Sequence, residues 1–246
     1  MAESVVAGRN AVREALRSKS DINKIFVQDT INKNQVKELL DLAKEQKVIV
    51  QSVPKSKMDG MTDEKHQGII AMISAHEYVD LETFMEGIAE KETANVVILD
   101  GLEDPHNLGS ILRTCDGAGF DGVIIPKRRS VQLTETVART STGAIEYIPV
   151  VRVTNINQTI DRLKDRGFWV VGSDGSGKTD YRELAMDMST ALVVGSEGQG
   201  ISKKTLEKCD FIVKIPMIGE ITSLNASVSA ALLMYEVYRN QNPAGT

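Results

Sequence analysis

The 246-residue sequence has little of several things. It has two cysteines, Cys115 and Cys209, far apart and with no companions at metal-ligand spacing. That pattern excludes a disulfide framework or zinc knuckle and suits a reducing compartment, so a cytoplasmic location is expected. The three histidines, His66, His76 and His106, are scattered too, and no metal site is expected. No apolar run approaches the roughly 18 residues that span a bilayer. The opening MAESVVAGRN lacks the basic start and apolar stretch of a secretion signal. No membrane association is therefore expected. Aromatics are sparse as well, at 5 Phe, 5 Tyr and 1 Trp, too few for the stacking platforms of single-strand binders.

Charge is nearly balanced, with a net of −5, which argues against a protein that coats nucleic acid. Its distribution is uneven. Residues 1–75 hold 12 basic against 10 acidic side chains, and the remainder holds 17 against 24. The one tight basic cluster is Lys127-Arg128-Arg129. Contact with nucleic acid, if any, should be local, as for an enzyme visiting one place.

Short apolar runs alternate with helical patterns along the whole chain. In the first 75 residues the spacing predicts helices at Ala11–Arg17, Asn34–Gln46 and near Pro54–Met61. Strands are expected at Lys24–Val27, Val48–Val50 and Gly68–Ile73. The polar stretch His76–Thr93 reads as a connecting helix plus linker, and the domain boundary is expected there. From 93 to 246, strands are expected at 96–99, 123–125, 147–151, 168–171, 191–194 and 211–215, with helices between them. Such alternation implies an α/β fold with a parallel sheet covered on both faces. In the last helix Leu224, Val228, Leu232 and Tyr235 are spaced as a core stripe.

Open α/β sheets hold ligands in the loops beyond their strands. Four such loops stand out. Gly172-Ser-Asp-Gly-Ser-Gly-Lys-Thr179 formally satisfies the phosphate-loop pattern. Too little chain separates it from the next strand for the long helix such a loop needs, so a surface turn is the better reading. The second loop leads into Asn107-x-Gly109-x-Ile111-x-Arg113-Thr114. Taken alone, Asn107 is a helix N-cap and Arg113 a solvated helix residue, although Arg113 could lean back toward the helix start. The third is Gly195-x-Glu197-x-x-Gly200-Ile201-Ser202, and the fourth is Ile215-Pro-Met-x-Gly219 followed by Ser223-Leu224-Asn225.

In that order the last three loops resemble the motifs of the SpoU/TrmH family of RNA ribose 2′-O-methyltransferases, over about residues 93–240. Val6–Leu16 and His66–Ile69 resemble the small substrate-binding domain of the bacterial 23S rRNA guanosine-2′-O-methyltransferase subgroup, a domain similar to ribosomal protein L30e. The resemblance implies an L30e-like domain at 1–75, a linker at 76–92, and a methyltransferase domain of the SPOUT type at 93–246 with a trefoil knot. It implies methyl transfer from S-adenosylmethionine to a guanosine of 23S rRNA, with a tRNA guanosine as the alternative. It makes Asn107, Arg113, Glu197, Ser223 and Asn225 the catalytic set. Asn107 would then bond Arg113 or the ribose, and Glu197 would fix Arg113 or Asn107. Thr142, Gly143, Gly195, Ile215 and Leu224 would hold the cofactor. A homodimer through the C-terminal helix is implied. Arg9, Lys127, Arg128 and Arg129 are candidates for RNA phosphate contacts.

Overall fold

The computed structural model describes residues 4–18, 20–74 and 76–244. The chain divides into two compact units, one of residues 1–77 with 132–135, the other of 78–131 with 136–246.

In the first unit, β1 (Ser4–Ala7), α1 (Arg9–Arg17), β2 (Ile22–Gln28), α2 (Lys37–Glu45), β3 (Val50–Val53), α3 (Lys55–Asp59) and β4 (Ile69–Ile73) build a four-stranded sheet in the order β1-β4-β2-β3. Only β2 and β3 pair in parallel. Strand alternation sorts the core onto both faces. Ile25, Val27, Ile69 and Ala71 pack with Val12 and Leu16 of α1 and Leu39 and Ala43 of α2. Phe26 and Ile70, one residue out of phase, pack with Val53 and Met58 on the other face. β1 is not legible as a strand in the sequence, and β3 begins where the expected strand at 48–50 ends.

The second unit is a seven-stranded sheet with α4 (Leu81–Gly87), α5 (Pro105–Ala118), α6 (Glu135–Ser141), α7 (Ile156–Lys164), α8 (Lys203–Leu206) and α9 (Ala226–Gln241). Its strands are β5 (Asn95–Asp100), β6 (Gly122–Pro126), β7 (Val150–Val153), β8 (Trp169–Ser173), β9 (Thr179–Asp180), β10 (Thr190–Gly195) and β11 (Phe211–Lys214). All neighbours are parallel, in the order β7-β6-β5-β10-β8-β11-β9. Val96–Leu99 and Ala191–Val193 are fully buried, as unbroken apolar strands covered on both faces require. The order turns at β5, where β6 and β7 extend one way and β10 and β8 the other.

Three expectations are corrected. The helix expected within 76–93 is present as α4, but it does not connect two domains: the second unit begins at Tyr78, and Phe84, Met85 and Ile88 join its core. The strand expected at 147–151 starts later, because residues 144–146 form a 3-10 turn and Tyr147 is exposed. In α9 the buried stripe is Ala226, Ala230, Leu233, Met234 and Val237, while Val228, Leu232 and Tyr235 are exposed. The helix carries two apolar stripes, and it is the one of smaller residues that seats it closely on α5 and β10. No helix among the described residues is long and apolar enough to cross a membrane.

Candidate active site

The site grows from the start of α5. Asp104, not Asn107, is the N-cap: its carboxylate accepts from the His106 backbone N–H at 2.9 Å, and Pro105 takes the first helical position. Asn107 is thereby freed from capping, and it lies in the first turn with only 4% exposure. Its Nδ2 donates to Glu197 Oε1 at 3.0 Å. Asn225 donates from Nδ2 to Asn107 Oδ1 at 2.9 Å and to Glu197 Oε1 at 2.7 Å. Asn225 is also the N-cap of α9, its Oδ1 accepting from Ser227 and Val228 backbone N–H groups at 2.9 and 3.3 Å. The Ala226 N–H reaches Glu197 Oε1 at 3.4 Å. One carboxylate thus ties together the amino ends of two helices, where a negative charge is electrostatically favoured.

Glu197 is delivered by a tight loop after β10. Gly198 and Gly200 have positive φ of 87° and 66°. A Cβ on Gly195 would lie 2.1 Å from the Gly200 carbonyl carbon, so the loop closes only over glycine.

Beside this cluster lies a cavity of about 380 Å³ at the carboxyl ends of β8, β10 and β11. Gly195, Glu197, Ile215, Ser223 and Leu224 line it together with Ser173, Asp174 and Gly175. The expected cofactor residues Gly195, Ile215 and Leu224 therefore share one wall system with Glu197 and Ser223. Thr142 and Gly143 do not line it. They are exposed, just beyond α6, and Thr142 has a φ of 51°.

Arg113 stands apart as well. It is exposed on α5, and among the described residues it makes no hydrogen bond or ion pair. Of the alternatives expected, the structure forms the Glu197–Asn107 bond and, among the described residues, no bond between Arg113 and either Asn107 or Glu197. Six residues along a helix turn a side chain about 120° away from its starting face, which removes Arg113 from that of Asn107.

Ser173, Asp174 and Gly175 are site residues that the sequence motifs do not name. They belong to the stretch that reads as a surface turn, and their position directly after a buried strand is the one signal that marks them. The rest of that stretch behaves as expected: Lys178 is exposed, and Thr179 enters β9 rather than a helix, so no phosphate loop exists. Among the basic candidates, Arg9 donates to Gln35 Oε1 at 2.7 Å at the start of α1, Lys127 is half-buried, and Arg128 and Arg129 are exposed after β6. Among the described residues no cluster of three metal-ligating side chains occurs.

Comparison with known proteins fits this geometry. The sequence profile of the SpoU rRNA Methylase family matches residues 94–235. The chain belongs to that family. It is thus an RNA methyltransferase of the SpoU/TrmH type. A second profile, RNA 2′-O ribose methyltransferase substrate binding, matches residues 5–79. A protein of Staphylococcus aureus (strain MSSA476), provisionally named a TrmH family tRNA/rRNA methyltransferase, is 58% identical over 246 residues, covering 100% of this chain and 99% of its own length. The SpoU methyltransferase AviRb from Streptomyces viridochromogenes, crystallised with AdoMet, has the same fold with a TM-score of 0.62 at 23% identity, over 98% of this chain and 91% of that one. The A. aeolicus TrmH/SpoU tRNA modifying enzyme is 29% identical with a TM-score of 0.57, over 67% of this SpoU chain and 84% of its own.

Proposed function

We propose that this SpoU-family chain methylates the 2′-hydroxyl of a ribose in RNA, with a guanosine of 23S rRNA as the first candidate. The observation that carries the reading is the Asn107–Glu197–Asn225 cluster set beside a half-apolar cavity at the carboxyl edge of a parallel sheet. The cavity fits S-adenosylmethionine: Ile215 and Leu224 offer apolar walls, while Gly175 and Gly198 leave open space where a Cβ would stand. When bound, that molecule supplies a methyl group on a sulfonium.

The protein's own task is the nucleophile. A ribose hydroxyl attacks poorly near neutral pH unless its proton leaves and its oxygen is held in line. A guanidinium is too weak a base to take that proton efficiently. Arg113 therefore stabilises the developing alkoxide, and a neighbouring RNA phosphate assists the proton's departure. Asn107 and Asn225, held by Glu197, orient the sugar and the loop, and Ser223 lies on the cavity wall beside them.

Among the described residues Arg113 has no hydrogen-bond or ion-pair partner, and α9 exposes Val228, Leu232, Tyr235 and Tyr238. Both features support a homodimer in which a second copy covers α9 and completes the site around Arg113. A knotted C-terminal topology, an L30e-like first unit that engages RNA through Arg9, and a cytoplasmic location belong to the same reading. The substrate is identified by mapping ribose methylation on rRNA and tRNA from a strain lacking the gene. Loss of one 23S rRNA methyl fits the first candidate, and loss from tRNA alone replaces it with the alternative.

A further inference from the structure

A second cleft, of about 630 Å³, opens at the carboxyl ends of β5, β6 and β7, in the half of the sheet that the first cavity leaves free. The two are neighbours, because Ser196 and Gly200 line both. Its volume lies within the roughly 300–1,000 Å³ typical of ligand pockets. None of the catalytic set lines it.

Its chemistry is specific. Arg128 and Arg129 are both exposed on its rim, and among the described residues neither forms an ion pair. Arg129 is held at a φ of 53°, a left-handed conformation uncommon for a residue with a Cβ. Across the cleft stands the amino end of the nine-residue α7, with Asn155 as its cap. Two planar guanidinium forks facing a helix amino terminus suit a phosphate. The wall also holds Asn157, whose Oδ1 is buried and has no hydrogen-bond partner among the described residues. A buried acceptor without a donor is costly, and a turn of the half-buried Asn157 side chain toward the cleft would let an N–H of an incoming ligand satisfy it. Two carboxylates also line the cleft: Asp100, which already accepts from the Ser202 N–H at 2.9 Å, and the exposed Glu103.

An anion site beside an acceptor awaiting an N–H describes a nucleotide, with its phosphate on the arginines and a base amino or imino group on the amide. We infer that this cleft holds a nucleotide of the RNA strand next to the one being methylated, and that Asn157 reads its base. The inference rests on the ribose-methylation reading, since the shared wall makes the cleft the next station along a strand whose target ribose sits at the first cavity. Arg128, Arg129 and Asn157 would act as positioning and specificity residues.

The test uses the full chain with rRNA from a strain lacking the gene. Arg128→Ala with Arg129→Ala should raise the KM for RNA about tenfold or more and leave kcat within a few-fold. The slope of log Kd against log salt should flatten by about 0.7 for each single-strand phosphate that the variant no longer neutralises. S-adenosylmethionine affinity by calorimetry should stay within twofold, which certifies the fold and the first cavity. Asn157→Ala should raise KM and relax the dependence on the flanking base in short RNAs carrying the mapped site. Wild-type KM and salt slope in the double arginine variant, with ribose methylation intact, would overturn the inference and leave the reading of the first cavity standing. Inhibition by guanosine monophosphate that depends on Arg128, without any change in RNA KM, would assign the cleft to a free nucleotide and equally overturn it. A wild-type chain that methylates no ribose would overturn both.

Discussion

Glu197 is the residue on which the site's geometry turns, since one of its oxygens accepts from both Asn107 and Asn225. Glu197→Ala leaves a buried amide and a helix-capping amide short of an acceptor. Each such group costs about 1–3 kcal/mol. The variant should therefore lose about 100-fold or more in turnover together with some thermal stability. Glu197→Gln, which keeps an acceptor, should recover much of the stability and little of the activity. Arg113 is the opposite case. It is exposed and unpaired among the described residues, so Arg113→Ala should leave the melting temperature and cofactor affinity nearly unchanged. Turnover should fall on the order of 100-fold to 1000-fold, the usual cost of removing a donor from a developing oxyanion. Arg113→Lys should rescue little, because an ammonium lacks the planar fork. Single-turnover rates beside calorimetry separate the two residues. A near wild-type rate for Arg113→Ala would make it an ordinary surface residue. The sequence motifs name both residues and offer the Glu197–Asn107 bond as one of two alternatives, but that Arg113 stands outside the cluster is not legible there. Asp104 and Pro105 sit just ahead of Asn107 and take over the capping, and only that frees the amide to bond Glu197.

At the scale of elements, the strands of the large sheet are readable because they are short, apolar and buried on both faces. The buried face of α9 is not, because the helix carries two apolar stripes and periodicity does not rank them. Packing does: Ala226 and Ala230 allow the close approach to α5, and the larger residues are left outside. Tyr235→Glu on the exposed stripe should produce monomers in sedimentation while preserving secondary structure, and activity should fall with dimer content. A fully active monomer would contradict the shared site. α4, legible as a helix although its place in the second unit's core is not, is held at its start by Asp80, which accepts from the Thr83 hydroxyl at 2.5 Å and backbone N–H at 3.0 Å. Those bonds, the hydroxyl first, lower the Asp80 pKa below its ordinary 3.8. A depressed folded-state pKa means that the stabilisation is present above about pH 4 and is lost as pH falls through the folded value. Asp80→Asn keeps an acceptor, so its melting temperature should be lower than wild type near neutrality and converge with it below about pH 3. A constant gap across pH 2–7 would show that ionisation of Asp80 plays no part.

Over the whole molecule, the two units match different family profiles, the first a substrate-binding profile and the second a methylase profile. In the second unit two neighbouring cavities lie at the carboxyl edge of one parallel sheet, and Ser196 and Gly200 line both. Twice the chain mass of 26.9 kDa is expected in sedimentation at micromolar concentration. Nucleotide hydrolysis is not expected, because Thr179 enters a strand; Lys178→Ala should leave methylation intact. The most direct measurement is to incubate the purified chain with rRNA and methyl-tritiated S-adenosylmethionine, then hydrolyse the RNA with alkali. A 2′-O-methyl blocks cleavage at its own phosphodiester, so ribose methylation places the label in alkali-resistant dinucleotides, and Arg113→Ala removes it. Label recovered in mononucleotides carrying a methylated base would contradict a site built to activate a ribose hydroxyl.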